Sequence, residues 1–136
     1  MIFNDFLLNV KLNTIIAGSR TINDFDLLEW VIKESELDIA IVISGMAKGV
    51  DTLGMIWANK YNVPIIKMPA DWNKYGRSAG YKRNEEMSKK AHALICLWDG
   101  ESYGTKNMID LMEKKRSVFI CTYNTQNKKI TKNYIL

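Results

Sequence analysis

IAIVISGMAKGVDTLGMIWANKY (39–61) joins an unbroken apolar run, a loop with two glycines and a lysine, and a segment with Leu53, Ile56 and Trp57 on one helical face. A strand that is apolar throughout is one buried on both sides, which calls for a parallel sheet covered by helices. The same unit recurs outward in both directions. Upstream, TIIA (14–17) reads as a strand between Asn13 and Gly18. Residues 24–36 read as a helix, with Phe25, Leu28 and Ile32 a turn apart and Asn23 or Thr21 as its cap. Downstream, VPIIKM (63–68) is a third strand, with Pro64 tolerated near its start. Residues 79–90 form a polar helix, ALICLW (93–98) a fourth strand, 105–115 a helix with Met108, Ile109 and Met112 inward, and SVFICT (117–122) a fifth strand. The tail from Asn124 is rich in Asn, Lys and Thr and is expected to be irregular or an edge segment.

Strands alternating with helices predict the α/β class. The expectation is a single Rossmann-like three-layer domain with a five-stranded, mainly parallel sheet over 1–136, its core about 12–123 and its tail 124–136. Length and composition agree with one folded unit. The 136 residues are 47% hydrophobic and 25% charged, which excludes disordered, collagen-like and disulfide-scaffold classes. Cys96 and Cys121 each sit in an apolar run and are expected as buried thiols in a reducing compartment. With one histidine and two isolated cysteines, no metal site or cofactor is expected. No apolar run reaches the ~18 residues that span a bilayer. The N-terminal MIFNDFLLNVKLN lacks a basic leader and a small-residue cleavage site, so no membrane partner and a cytoplasmic location are expected.

The net charge of +4 is uneven: residues 1–40 hold 7 acids and 3 bases, leaving 8 acids and 16 bases in 41–136. The glycines are equally uneven. Seven of the eight (Gly18, Gly45, Gly49, Gly76, Gly80, Gly100 and Gly104) follow predicted strands, where ligands bind in a parallel sheet. The helix-to-strand turns, which also favour glycine, contain none.

These loops carry matching chemistry. AGSR (17–20) brings a hydroxyl and a guanidinium, and SGMAKGVD (44–51) brings Lys48 and free N–H groups at a helix start, suited to phosphate or carboxylate. Asp51 is either a ligand contact or a residue favoured by the helix dipole. Thr105 in DGESYGTKN (99–107) is a cap or a phosphate contact. In PADWNKYGRSAGYKRNEE (69–86), Arg77 and other bases interleave with aromatics, as a stacked base beside a phosphate requires. Trp72 there is read first as a lid anchor in the core, then as a stacking platform. Arg83 and Asn84 are read as ligand contacts. Neither glycine loop has P-loop or GxGxxG spacing, so the residues alone specify an anion site and no particular nucleotide.

AGSR, SGMAKGVD, PADW with KYGRSAGYKRN, and WDGESYGTKNMID together resemble the YspA-like branch of the SLOG superfamily, related to DprA and the LOG phosphoribohydrolases. The resemblance runs over about 14–122. It implies a Rossmann-like fold, a nucleotide-derived ligand at the strand C-terminal edge, and a homodimer or larger homo-oligomer. The ligand contacts it implies are Gly18, Ser19, Arg20, Gly45, Lys48, Gly49, Asp51, Arg83, Asn84, Asp99, Gly104, Thr105 and Asn107. Two departures stand out in a segment usually written GGARGAD: Met46 replaces a glycine and Lys48 an arginine. Aligning Gly104-Thr105 with the LOG motif PGGxGTxxE puts Met108 where those enzymes carry glutamate, and methionine is neither acid nor base.

Three functions compete. The first is binding of a nucleotide or ADP-ribose-like signal, as sensor or sequestering protein. The second is hydrolysis of an N-glycosidic bond, with Asp99 or Glu101 as catalytic acid/base. The third is nucleic-acid binding as in DprA; it ranks last because the bases form no recognised motif.

Overall fold

The computed structural model describes residues 10–136; the reading of the first nine residues lies outside them. Six strands form one sheet: β1 (Lys11–Gly18), β2 (Asp38–Ser44), β3 (Ile65–Lys67), β4 (Ala93–Trp98), β5 (Val118–Asn124) and β6 (Lys129–Ile135). Their spatial order is β3-β2-β1-β4-β5-β6, parallel except for the antiparallel pair β5 and β6. Between them lie α1 (Phe25–Ser35), α2 (Val50–Lys60), the short α3 (Trp72–Tyr75), a 3-10 turn (Gly76–Ser78), α4 (Ala79–Lys90) and α5 (Tyr103–Glu113).

The α/β class, the parallel sheet and the alternation of elements are as expected from the sequence; the five-strand count is not. The tail forms a sixth strand because each residue from Lys129 to Ile135 pairs with one from Val118 to Asn124. Its edge position, one of the two expectations for the tail, leaves one side of the ladder to solvent and admits its lysines and asparagine. Three smaller corrections concern ends. The third strand shrinks to three residues. Helix α5 begins two residues before Thr105 and ends at Glu113. Asp24 caps α1, its carboxylate accepting the Leu27 N–H at 3.0 Å.

The strands bury side chains in two separate layers. Ile16, Val42, Ile95, Leu97, Phe119 and Cys121 pack with Leu28, Val31 and Ile32 of α1 and Val50, Leu53 and Ala58 of α2. Ile15, Ala17, Ile43, Leu94, Cys96, Val118 and Ile120 pack with Met87 of α4 and Met108 and Met112 of α5. Alternate residues of each strand therefore enter opposite layers. Cys96 and Cys121 face different layers, so the sheet itself keeps the two free thiols apart. Burial raises both thiol pKa values, which leaves them protonated and unreactive near neutrality.

Chain direction reverses laterally between β1 and β4: β2 and β3 lie on one side of β1, β4 and β5 on the other. The carboxyl ends of β1 and β4 thus form the crevice where open α/β sheets hold ligands. None of the described helices is long and apolar enough to cross a membrane.

Gly54 sets how closely α2 lies on the sheet. A Cβ there would stand 2.8 Å from Cγ2 of Ile16 and 2.9 Å from its Cβ, atoms that cannot swing away. Gly54→Ala should therefore destabilise by about 1–3 kcal/mol in urea denaturation, although alanine in a helix otherwise gains about 1 kcal/mol over glycine. Ile16→Val in the same chain should recover little of the loss, because valine keeps both of those atoms.

Candidate functional site

A cleft of about 430 Å³ opens at the ends of β1 and β4. Its walls come from four connections. Gly18, Arg20 and Thr21 follow β1; Ala47 and Asp51 follow β2; Trp72, Arg77, Gly80, Tyr81, Arg83 and Asn84 follow β3; Asp99, Ser102, Gly104 and Thr105 follow β4. Ala17, Met87 and Met108 give it an apolar floor.

The basic side is built around Arg83. Its Nη1 donates to the Gly45 carbonyl at 2.6 Å, and its Nε donates to Asn84 Oδ1 at 3.0 Å. A side chain at Gly45 would push Arg83 and Asp51 out of this arrangement: a Cβ there would lie 2.6 Å from Arg83 Nη1 and 2.9 Å from Asp51 Oδ2. Asp51, only 5% exposed, accepts the Ala47 N–H at 3.1 Å. Burial raises its carboxyl pKa, against the pull of the Ala47 N–H and the charges of Arg83 and Arg20. Burial likewise lowers the pKa of the Arg83 guanidinium, with Asp51 opposing that shift and Arg20 adding to it.

The opposite wall is organised by Asp99. Its N–H donates to Ser19 Oγ at 3.0 Å, and its Oδ1 accepts the N–H groups of Glu101 at 2.9 Å and Ser102 at 2.8 Å. The N–H groups of Ser102 and Glu101 hold its carboxyl below the usual range, so Asp99 is an anion at neutral pH. Ser102 Oγ lies 3.1 Å from Thr105 Oγ1 at the start of α5.

Ten of the fifteen residues expected to bind ligand line this cleft: Gly18, Arg20, Asp51, Trp72, Arg77, Arg83, Asn84, Asp99, Gly104 and Thr105. The other five do not. Ser19 is buried as the acceptor for Asp99, Gly45 offers its carbonyl to Arg83, and Asn107 accepts from Asn84. Gly49 turns the chain into α2 with φ of 75°, and Lys48 is exposed outside the cleft. Glu101 is exposed and outside it as well. Trp72 is not a core anchor: it is 51% exposed, and its ring tip lies 3.5 Å from where a Gly80 Cβ would be. It lies on a short helix of its own within what reads in sequence as one long loop.

Gly80 and Tyr81, which the sequence places at the ligand edge and among the stacking aromatics, also line the cleft, as do Thr21, Ala47, Met87 and Ser102, to which it gives no site role. The AGSRT and DGES runs contain Thr21 and Ser102, so proximity to the other candidates was the available signal. Met87 carried none, because a buried methionine on a helix reads as core. Among the described residues, no three His, Cys, Asp or Glu side chains gather as a metal site.

Comparison with known proteins points the same way. A family model described as "YspA, cpYpsA-related SLOG family" matches residues 13–75, which hold β1 to β3, the first two walls and Trp72 of the third. The "Gene 61 protein" of Mycobacterium phage D29 is 32% identical over 111 residues, covering 74% of this chain and 87% of the phage protein. No solved structure matches the chain significantly.

Two expectations test this geometry. Met46, where the family pattern has glycine, sits at φ of 62° with its side chain 41% exposed. Met46→Gly should stabilise by roughly 0.5–1 kcal/mol in urea denaturation, relief of left-handed strain outweighing the added freedom of the unfolded chain. For Asp51, a raised native pKa means the folded state binds more protons than the unfolded one, so this group's contribution to stability falls as pH rises through the window. The stability of Asp51→Asn relative to wild type should therefore increase from about pH 4 upward, measured by urea titrations across that range.

Proposed function

The chain belongs to the YspA, cpYpsA-related SLOG family, and from that premise we propose that it binds a nucleotide-derived, ADP-ribose-like small molecule as a sensor or sequestering protein. The observation that carries this reading is the convergence of Arg20, after β1, with Arg77 and Arg83, after β3, on one cleft with an apolar floor at the sheet's switch point. Guanidinium groups suit the planar, multidentate recognition of phosphate. The exposed faces of Trp72 and Tyr81 supply surfaces on which a base can stack. Met108 is 2% exposed in the floor, and the motif resemblance aligns it with the glutamate of the related phosphoribohydrolases, which favours binding over turnover.

One observation favours a second reading, hydrolysis of an N-glycosidic bond. Asp51 is a buried carboxyl with a raised pKa inside the cleft, which suits a proton donor better than Asp99, whose carboxyl is held low; Glu101 lies outside the cleft.

Native purification followed by mass spectrometry of released small molecules tests both. Recovery of an intact nucleotide derivative supports the binding reading; free base with ribose phosphate overturns it in favour of hydrolysis. In calorimetric titration with ADP-ribose, Arg83→Ala should weaken binding by about ten- to a hundredfold, the loss of a charge-assisted hydrogen bond of ~1.5–3 kcal/mol.

A further inference from the structure

The resemblance implies Asn84 and Asn107 as ligand contacts, but the hydrogen bonds give them different work. Both donor protons of the Asn84 amide are engaged, one on the Gly104 carbonyl at 3.2 Å and one on Asn107 Oδ1 at 2.9 Å. Its Oδ1 accepts from Arg83 Nε. Asn84 is 7% exposed and cannot donate to a ligand without breaking a bond it already makes. Asn107 does not reach the cleft at all.

We infer that Asn107 and Asn84 are positioning residues that fix the Arg83 guanidinium through a side-chain relay, so that Asn107 controls ligand affinity without touching ligand. The relay runs from Asn107 on α5 to Asn84 on α4 and then to Arg83, whose second anchor is Gly45 after β2. Two of the five guanidinium N–H groups are fixed in this way, which holds the plane of the group. The remaining three stay available to an anion. A preset guanidinium loses less conformational freedom on binding than one on a free side chain. The orientation of Arg83 is thus shared among three loops of the sheet edge, and part of the inference rests on the anion-binding reading above.

The test has one arm that needs no ligand. The Nε–H resonance of Arg83, assigned by its loss in Arg83→Lys, should exchange with solvent several-fold faster in Asn107→Leu. In Asn107→Asp, which keeps the acceptor, it should behave as in wild type. An unchanged exchange rate in Asn107→Leu overturns the relay. The second arm is calorimetric titration with ADP-ribose. Asn107→Leu should weaken binding by about three- to tenfold, as the loss of one hydrogen bond implies, and Asn107→Asp should restore it. In an Arg83→Lys background the Leu substitution should have no further effect; full additivity would overturn the inference. If ADP-ribose does not bind wild type while the exchange effect is present, the ligand reading fails and the relay stands.

Discussion

Strands β1 and β4 come so close at their carboxyl ends that position 18 has no room for a side chain. A Cβ on Gly18 would lie 2.1 Å from the Leu97 carbonyl oxygen and 2.8 Å from Val50. The next peptide uses that proximity: the Ser19 N–H donates to Leu97 O at 3.0 Å, extending the β1–β4 pairing one residue beyond the sheet. Ser19 then offers its hydroxyl to the Asp99 N–H and its carbonyl to Val50 at the start of α2. Three connections are tied to one residue. Arg20, Asp51 and Asp99 stand around a single opening because these ties fix where each loop leaves the sheet.

The cleft that results is electrostatically divided. Arg20, Arg77 and Arg83 share it with two carboxyls of opposite habit, Asp51 raised in pKa by burial and Asp99 lowered by backbone N–H groups. The same residue type takes two protonation tendencies because one side chain lost its water and the other gained donors. Met87 and Met108 close the floor with polarisable, shape-tolerant side chains, which suits a ligand with a flat apolar part.

Most of the fold was legible because its signals were unmixed. Ile39 to Ile43 and Ala93 to Leu97 are apolar throughout, and only a strand buried between two helix layers tolerates that. The tail was legible as an edge segment but not as a strand: in KITKNYI the lysines, threonine and asparagine sit on a solvent-facing edge, and the pairing with β5 lies in tertiary contact that no local pattern encodes. In the site, residue type and loop position located Arg20, Arg83 and Asp99. What the sequence could not distinguish was a side chain that meets ligand from one that holds its neighbour. Ser19, Gly45 and Asn107 lie between the cleft walls and not in them, and that distinction depends on which hydrogen bonds are already made.

The turns at the far end of the sheet add a different point. Glu36, Asn62 and Ser117, at the helix-to-strand connections, all take left-handed backbone, with φ of 60°, 56° and 57°. Glycine, the residue best suited to that conformation, is absent from all three and concentrated beside the cleft. The chain therefore carries unrelieved conformational energy at the end remote from the cleft. Substitutions there are far enough from Arg83 and Asp51 to combine additively with changes in the cleft. That remote end is a reservoir from which lineages altering the cleft can recover stability, so its lining can drift without loss of the fold.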